Sequence, residues 1–322
     1  MEKFVFFGGK GGVGKTTVSA AYATKCAAAG LETLVVSTDP AHSTSDVFGQ
    51  QFGDEARRVE GFDHLWAMEI DPDEEVERHL QEVRRRMNDQ VSASIVNELD
   101  RQIELAHQTP GAYEAALFDR FIHVMQNADD YDRVVFDTSP TGGTLRLLAL
   151  PEFLEDWIER LVAKRVQSVD LFEKAAIGKQ AARRRLDDDP IIAHLRDRKE
   201  KFEFAAQTLR EGSAFYLVLN PDGLSVSETE RAVDQLADTG LTVDGLVVNR
   251  VTPAPDDDEQ GRGARYLRER VATEREHLAQ IRDGFDEPVV GVVETRSGDV
   301  DSGLLAAVAD ELDVEVAGSV EA

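Results

Sequence analysis

The 322-residue sequence predicts an α/β fold, a mostly parallel, doubly wound sheet with helices on both faces. Three observations predict it. Short apolar runs of strand length recur between longer segments with helical spacing. A glycine-rich loop joins the first of these runs to an alanine-rich segment of good helix formers. Two later runs lead into aspartates, at the strand ends where such sheets gather their ligands.

The elements follow in order. Phe4–Phe7 reads as a buried strand, and residues 15–29 as a helix stopped by Gly30. Thr33–Val36 is the second strand, with a short helix expected near Ser43. Leu65–Glu69 is the third strand. Residues 72–130 then hold Val76, Leu80, Val83, Met87, Val91, Ile95, Leu99 and Ile103 at three-to-four spacing, which predicts a long amphipathic helix. A second helical stretch carries Leu117, Phe121 and Val124. Val134–Phe136 is the fourth strand.

Residues 151–211 open on Pro151, place Leu154, Trp157, Ile158, Leu161 and Val162 on one face, and end in a helix reaching Arg210. Phe215–Leu219, Leu246–Val248 and Val289–Val293 complete the strands, and the tail from Val314 reads as frayed. Residues 1–322 thus form one domain, with helical insertions at about 72–130 and 151–211. The apolar stripes of the insertions suit a core or a partner-binding groove.

The loop carries the chemistry. Gly9, Gly14, Lys15 and Thr16 meet the spacing G-x-x-x-x-G-K-T between a strand and a helix. Glycines let successive backbone N–H groups of Gly9, Lys10, Gly11, Gly12, Val13 and Gly14 turn toward an anion, and the helix start at Lys15, Thr16 and Thr17 adds its own N–H groups. Lys15 is placed to reach the β- and γ-phosphates of ATP, and the Thr16 hydroxyl to meet Mg²⁺. Lys10 is a second lysine inside the loop. Spacing alone leaves it either a solvated charge or a functional one.

Asp39 follows the second strand and is placed either to orient an attacking water or to cap the helix near Ser43. Asp137 ends the fourth strand, where a phosphate-loop protein needs a carboxylate for Mg²⁺. Asn220 and Asn249 stand at strand ends, suited to reading an adenine edge or to pinning a turn.

Together these residues resemble a known group. Gly8 to Thr16, with Lys10 inside the loop, is similar to the signature-lysine phosphate loop of the ATPases that include MinD, ParA and the nitrogenase iron protein. Within that group, Asp39–Ser43, Asp137–Arg146, Ala67–Pro72, Glu228–Arg231 and Val247–Asn249 resemble motifs of the ArsA family. That family contains arsenical pump-driving ATPases and targeting factors for tail-anchored membrane proteins. The likeness covers about residues 3–300.

The resemblance implies a Mg²⁺-dependent ATPase that works as a homodimer. Lys10 would reach the partner's nucleotide, Asp39 would position the hydrolytic water, Asp137 would hold Mg²⁺ through water, and Asn249 would contact adenine. Two departures stand out. Gly143 replaces a histidine often found after Pro-Thr-Gly, and Ala264 and Leu267 stand where many targeting factors carry a CxxC zinc pair. No Cys-ligated zinc is expected.

The family allows a targeting factor that carries hydrophobic membrane-protein segments to a membrane receptor. The alternatives are an arsenite-efflux ATPase and a MinD- or ParA-like positioning switch. The single cysteine, Cys26, offers no thiolate cluster for a thiophilic ion, and the last helix around Leu304–Leu312 has no basic residue for an anionic membrane.

Composition bounds the rest. No apolar run approaches the roughly 20 residues of a membrane-spanning helix, and no secretory signal precedes the loop, so a cytoplasmic protein is expected; the resemblance to targeting factors adds transient visits to the membrane. The net charge of −26, spread over the chain, argues against nucleic acid as a partner. Such a surface repels itself in dilute salt, and at about 1 M the Debye length of about 3 Å screens that repulsion. The chain is therefore expected to be salt-adapted. Its melting temperature should rise between low and molar KCl; equal or greater stability at low salt would contradict the expectation.

Overall fold

A computed structural model describes residues 2–38, 43–71, 74–75, 77–78, 112–138, 190–298 and 300–316. Eight described strands form one sheet. They are β1 (Phe4–Gly9), β2 (Thr33–Ser37), β3 (Arg57–Arg58), β4 (Leu65–Glu69), β5 (Arg133–Asp137), β6 (Ser213–Leu219), β7 (Gly245–Val251) and β8 (Val289–Glu294). Their order across the sheet is β3-β4-β2-β5-β1-β6-β7-β8. Every neighbouring pair is parallel except β3 with β4. All seven expected strands are present. The eighth, β3, is two exposed arginines paired along the sheet edge, and it has no apolar pattern to announce it.

The described helices are α1 (Lys15–Ala28), α2 (Ser43–Phe48), α3 (Ala112–Gln126), α4 (Pro190–Glu211), α5 (Gly223–Ala237), α6 (Arg262–Gly284) and α7 (Ser302–Asp310). Strand alternation sorts the core into two layers. Phe4 and Phe6 face one side with Phe118 and Phe121 of α3 and Phe202 and Leu209 of α4. Val5 and Phe7 face the other with the alanine-rich α1 and with Leu305 and Val308 of α7. The α1 helix ends as expected: Gly30 takes φ 87°, and the Gly30 N–H donates to Ala27 O at 2.9 Å.

The stripe Leu117, Phe121 and Val124 is core, packed on the sheet. The stripes expected over 76–103 and 154–162 lie outside the described residues. Residues 314–316 are not frayed. The Glu315 and Val316 carbonyls accept from Tyr22 Oη (3.4 Å) and an Arg133 guanidinium nitrogen (3.0 Å). Val314 is buried.

An aromatic stack centres the first layer. Phe6 lies 4.5 Å from Phe136 and 5.0 Å from Phe215 between ring centroids, and Phe121 meets Phe136 edge-on at 5.1 Å. Phe136 is fully buried. Phe136→Ala is predicted to cost about 3–5 kcal/mol in equilibrium urea unfolding; a loss under about 1 kcal/mol would show that the layer refills the space.

Candidate nucleotide site

Strand register builds the site. Reading across the sheet, Glu69 of β4 pairs with Ser37 of β2, Ser37 with Asp137 of β5, and Asp137 with Phe7 of β1. One row of strand ends therefore lies immediately before the glycine loop. The backbone ties the row together: the Thr38 N–H donates to Asp137 O (3.1 Å), and the Thr138 hydroxyl donates to Phe7 O (2.8 Å).

Two loop glycines are required by space. A Cβ at Gly9, whose φ is 139°, would lie 2.2 Å from the carbonyl oxygen of Val218. A Cβ at Gly14, with φ 91°, would lie 2.3 Å from Asn249 Nδ2. Gly14 caps α1 in the left-handed conformation, so the chain turns there from loop to helix. Gly11 and Gly12 are exposed at the mouth, whereas Val13 and Lys15 are buried. Lys15 Nζ donates to Lys10 O at 3.1 Å. The loop is thus closed on its own lysine. Thr16 and Thr17 follow in the first helical turn, half-buried.

Lys10 Nζ pairs with Glu228 Oε2 of α5 at 3.8 Å, and the two side chains remain 32% and 37% exposed. A pair so loose and wet is worth at most about 1 kcal/mol. Asp137 is 1% exposed, and its Oδ2 accepts from Ser37 Oγ at 3.5 Å. A hydroxyl at Thr16 and a carboxylate at Asp137 are hard oxygen donors, a set that fits Mg²⁺ better than a softer ion. Asp39 lies outside the described residues.

Asn249 is buried at the end of β7 and braces the loop: its Nδ2 donates to Val13 O at 2.7 Å, and its Oδ1 accepts the Arg250 N–H at 2.8 Å. Arg250 takes φ 59°, uncommon outside glycine, beside a register shift in the β7–β8 pairing. Asn220 stands at a turn closed by its backbone carbonyl, which accepts the Asp222 N–H at 2.8 Å; its side-chain Oδ1 is buried with no partner among the described residues, so its amide is not what pins that turn.

Sequence reasoning missed a buried clamp three residues beyond Asn249. Glu274 of α6 accepts the Thr252 N–H (2.6 Å), the Thr252 hydroxyl (2.8 Å) and Arg270 Nε (2.7 Å). Burial works to raise the Glu274 pKa, but the bonds from Arg270 and Thr252 outweigh it and hold the carboxyl below the usual range. No short-range pattern signals a contact spanning 22 residues.

The chain matches the profile of the anion-transporting ATPase family over residues 2–304. It is 34% identical over 281 residues to a putative arsenical pump-driving ATPase of Aquifex aeolicus, covering 87% of this chain and 88% of that protein. It is 34% identical over 297 residues to the ATPase get3 of Neurospora crassa, covering 88% and 82% of the two chains. A putative arsenical pump-driving ATPase of Halobacterium salinarum is 33% identical over 300 residues, 92% of this chain but 42% of that longer protein.

The Gly14 geometry makes a prediction. Gly14→Ala combines left-handed strain of about 1–3 kcal/mol with a clash on Asn249, and should weaken ATP binding at least roughly tenfold by calorimetric titration. An unchanged dissociation constant would contradict this picture of the loop.

Proposed function

Because the chain belongs to the anion-transporting (ArsA) ATPase family and is itself an ATPase, we propose that it is a homodimeric, Mg²⁺-dependent nucleotide switch. Its task on this reading is to target tail-anchored membrane proteins. The observation that carries the dimer is the setting of Lys10. Its ammonium rests on Glu228 at the rim of the loop, about one third exposed, where a second chain's nucleotide can reach it. The 42% coverage of the longer Halobacterium relative fits a site assembled from two such halves.

The roles follow from position. Lys15 exchanges the Lys10 carbonyl for the β- and γ-phosphates of ATP. Thr16 and, through water, Asp137 would hold Mg²⁺, which neutralises phosphate charge when bound. Asp39 positions the attacking water, a role taken from its sequence position and the family resemblance. Lys10, supplied in trans, stabilises charge developing on the phosphates only in the closed dimer. Asn249 turns from Val13 to the adenine edge. Opening after hydrolysis then releases the cargo.

The cargo on this reading is a hydrophobic membrane-protein segment, delivered from the cytoplasm to a membrane receptor. The apolar stripes that the sequence carries over 76–103 and 154–162, which lie outside the described residues, are this reading's candidates for the cargo surface. No described helix is long and apolar enough to cross a membrane. The name of the Aquifex relative raises arsenite transport as the alternative. Cys26 weighs against it, because this lone thiol is fully buried and burial pushes its pKa up to about 11. A buried neutral thiol is a poor ligand for a thiophilic ion.

A charge supplied in trans to phosphoryl transfer is worth about 10³–10⁵ in rate, so Lys10→Ala should lower steady-state ATPase activity on that scale while still binding ATP. Asp39→Asn, locked with Mg·ATP, should run as a dimer in sedimentation and copurify with a co-expressed tail-anchored protein. Wild-type turnover in Lys10→Ala would remove the trans lysine. ATP-bound dimers of Asp39→Asn that stay empty would remove the targeting role.

A further inference from the structure

One buried carboxylate in the site row is left unused by the functional reading. Glu69 ends β4, is 4% exposed, and accepts from Ser45 at both of its oxygens. Its Oε1 accepts the Ser45 N–H and its Oε2 accepts the Ser45 hydroxyl, each at 2.7 Å. Ser45 Oγ accepts in turn from the Phe52 N–H at 3.1 Å, and the Glu69 N–H donates to Gly53 O at 2.8 Å. Thr44 and Ser45 are both buried. The knot therefore fixes the first turn of α2.

That turn needs fixing from outside. The α2 helix is six residues long, far below the length at which a helix holds itself in water. Bonds to a carboxylate are about twice as strong as neutral ones, and both are sheltered here from solvent. Five residues upstream of the start of α2 the chain is pinned again, where the Thr38 N–H donates to Asp137 O. Asp39 follows Thr38 directly in sequence. The two pins, Asp137 and Glu69, stand on the same row of strand ends, with Ser37 paired to each.

We propose that Glu69 is a positioning residue for ATP hydrolysis: by holding Ser45 it fixes the far end of the chain stretch that carries Asp39. This rests on the reading in which Asp39 positions the water. Glu69 itself does not touch nucleotide. It sets the placement of α2 against Asp137, and phosphoryl transfer is sensitive to misplacements of about 1 Å.

The test separates turnover from binding. Glu69→Ala should lower kcat at least about tenfold, with the dissociation constant for fluorescent ATP within about twofold of wild type. Glu69→Gln keeps an oxygen for the Ser45 N–H and offers an N–H to Ser45 Oγ, so it should recover most of the lost turnover. Ser45→Ala, which keeps its backbone bond, should fall between, and the double variant Ser45→Ala/Glu69→Ala should be no slower than Glu69→Ala alone. Melting temperatures are read alongside.

Unchanged kcat in Glu69→Ala overturns the proposal. So does a parallel loss of kcat and ATP affinity that Glu69→Gln does not repair, since that is general damage. If Glu69→Ala does not fold, Ser45→Ala decides: lowered kcat at unchanged affinity supports the proposal, and unchanged kcat overturns it. Asp39→Asn is run in parallel. Wild-type turnover there defeats the underlying reading and this proposal together, whereas a dead Asp39→Asn beside a fully active Glu69→Ala defeats this proposal alone.

Discussion

The parallel register of β4, β2, β5 and β1 is the constraint on which the rest depends. It sets Glu69, Ser37, Asp137 and Phe7 in one row. Parallel strands buried on both faces cannot slip by one residue without exchanging the two core layers, so the row is fixed by packing rather than by the polar groups along it. Phe4 and Phe6 commit β1 to one layer, and Val5 and Phe7 to the other. The glycine loop then begins two residues beyond the row, and its backbone emerges beside Asp137. The core thus builds the site before any ligand arrives.

The loop is engaged with its own chain. Lys15 holds the carbonyl of Lys10, Glu228 holds the ammonium of Lys10, and Asn249 holds the carbonyl of Val13. Lys15, the Lys10 ammonium and the Asn249 amide are the groups that the proposed mechanism turns toward nucleotide. Lys10 is the shared element, tied at its backbone by one lysine and at its side chain by a glutamate of α5. On the proposed reading, Lys15 turning to phosphate would release the backbone of the residue proposed to act across the dimer. That reading would join binding in one half to reach toward the other through a single residue.

The elements that sequence reveals are those set by local pattern. The seven apolar strands, the stop at Gly30 and the glycine-rich turn between β1 and α1 all follow from periodicity or glycine chemistry within a few residues. β3 escaped because Arg57 and Arg58 have no apolar face and exist as a strand only by pairing with β4. Residues 314–316 looked frayed because the groups that catch their carbonyls, Tyr22 and Arg133, lie in α1 and β5. The same holds in the site. Glu69 with Ser45, Glu274 with Thr252 and Lys10 with Glu228 are polar pairs separated by 24, 22 and 218 positions. Polar contacts of that span leave no periodic trace, and only the folded sheet brings them together.

The central claim is that Lys10 leaves its own chain for the nucleotide of a second copy. The most direct measurement is a crystal structure of the chain with Mg²⁺ and ADP·AlF₄⁻. The account predicts a two-fold dimer in which each Lys10 ammonium has left Glu228 and contacts the fluoroaluminate bound by the partner. A single chain enclosing its nucleotide, with Lys10 still on Glu228, would contradict it.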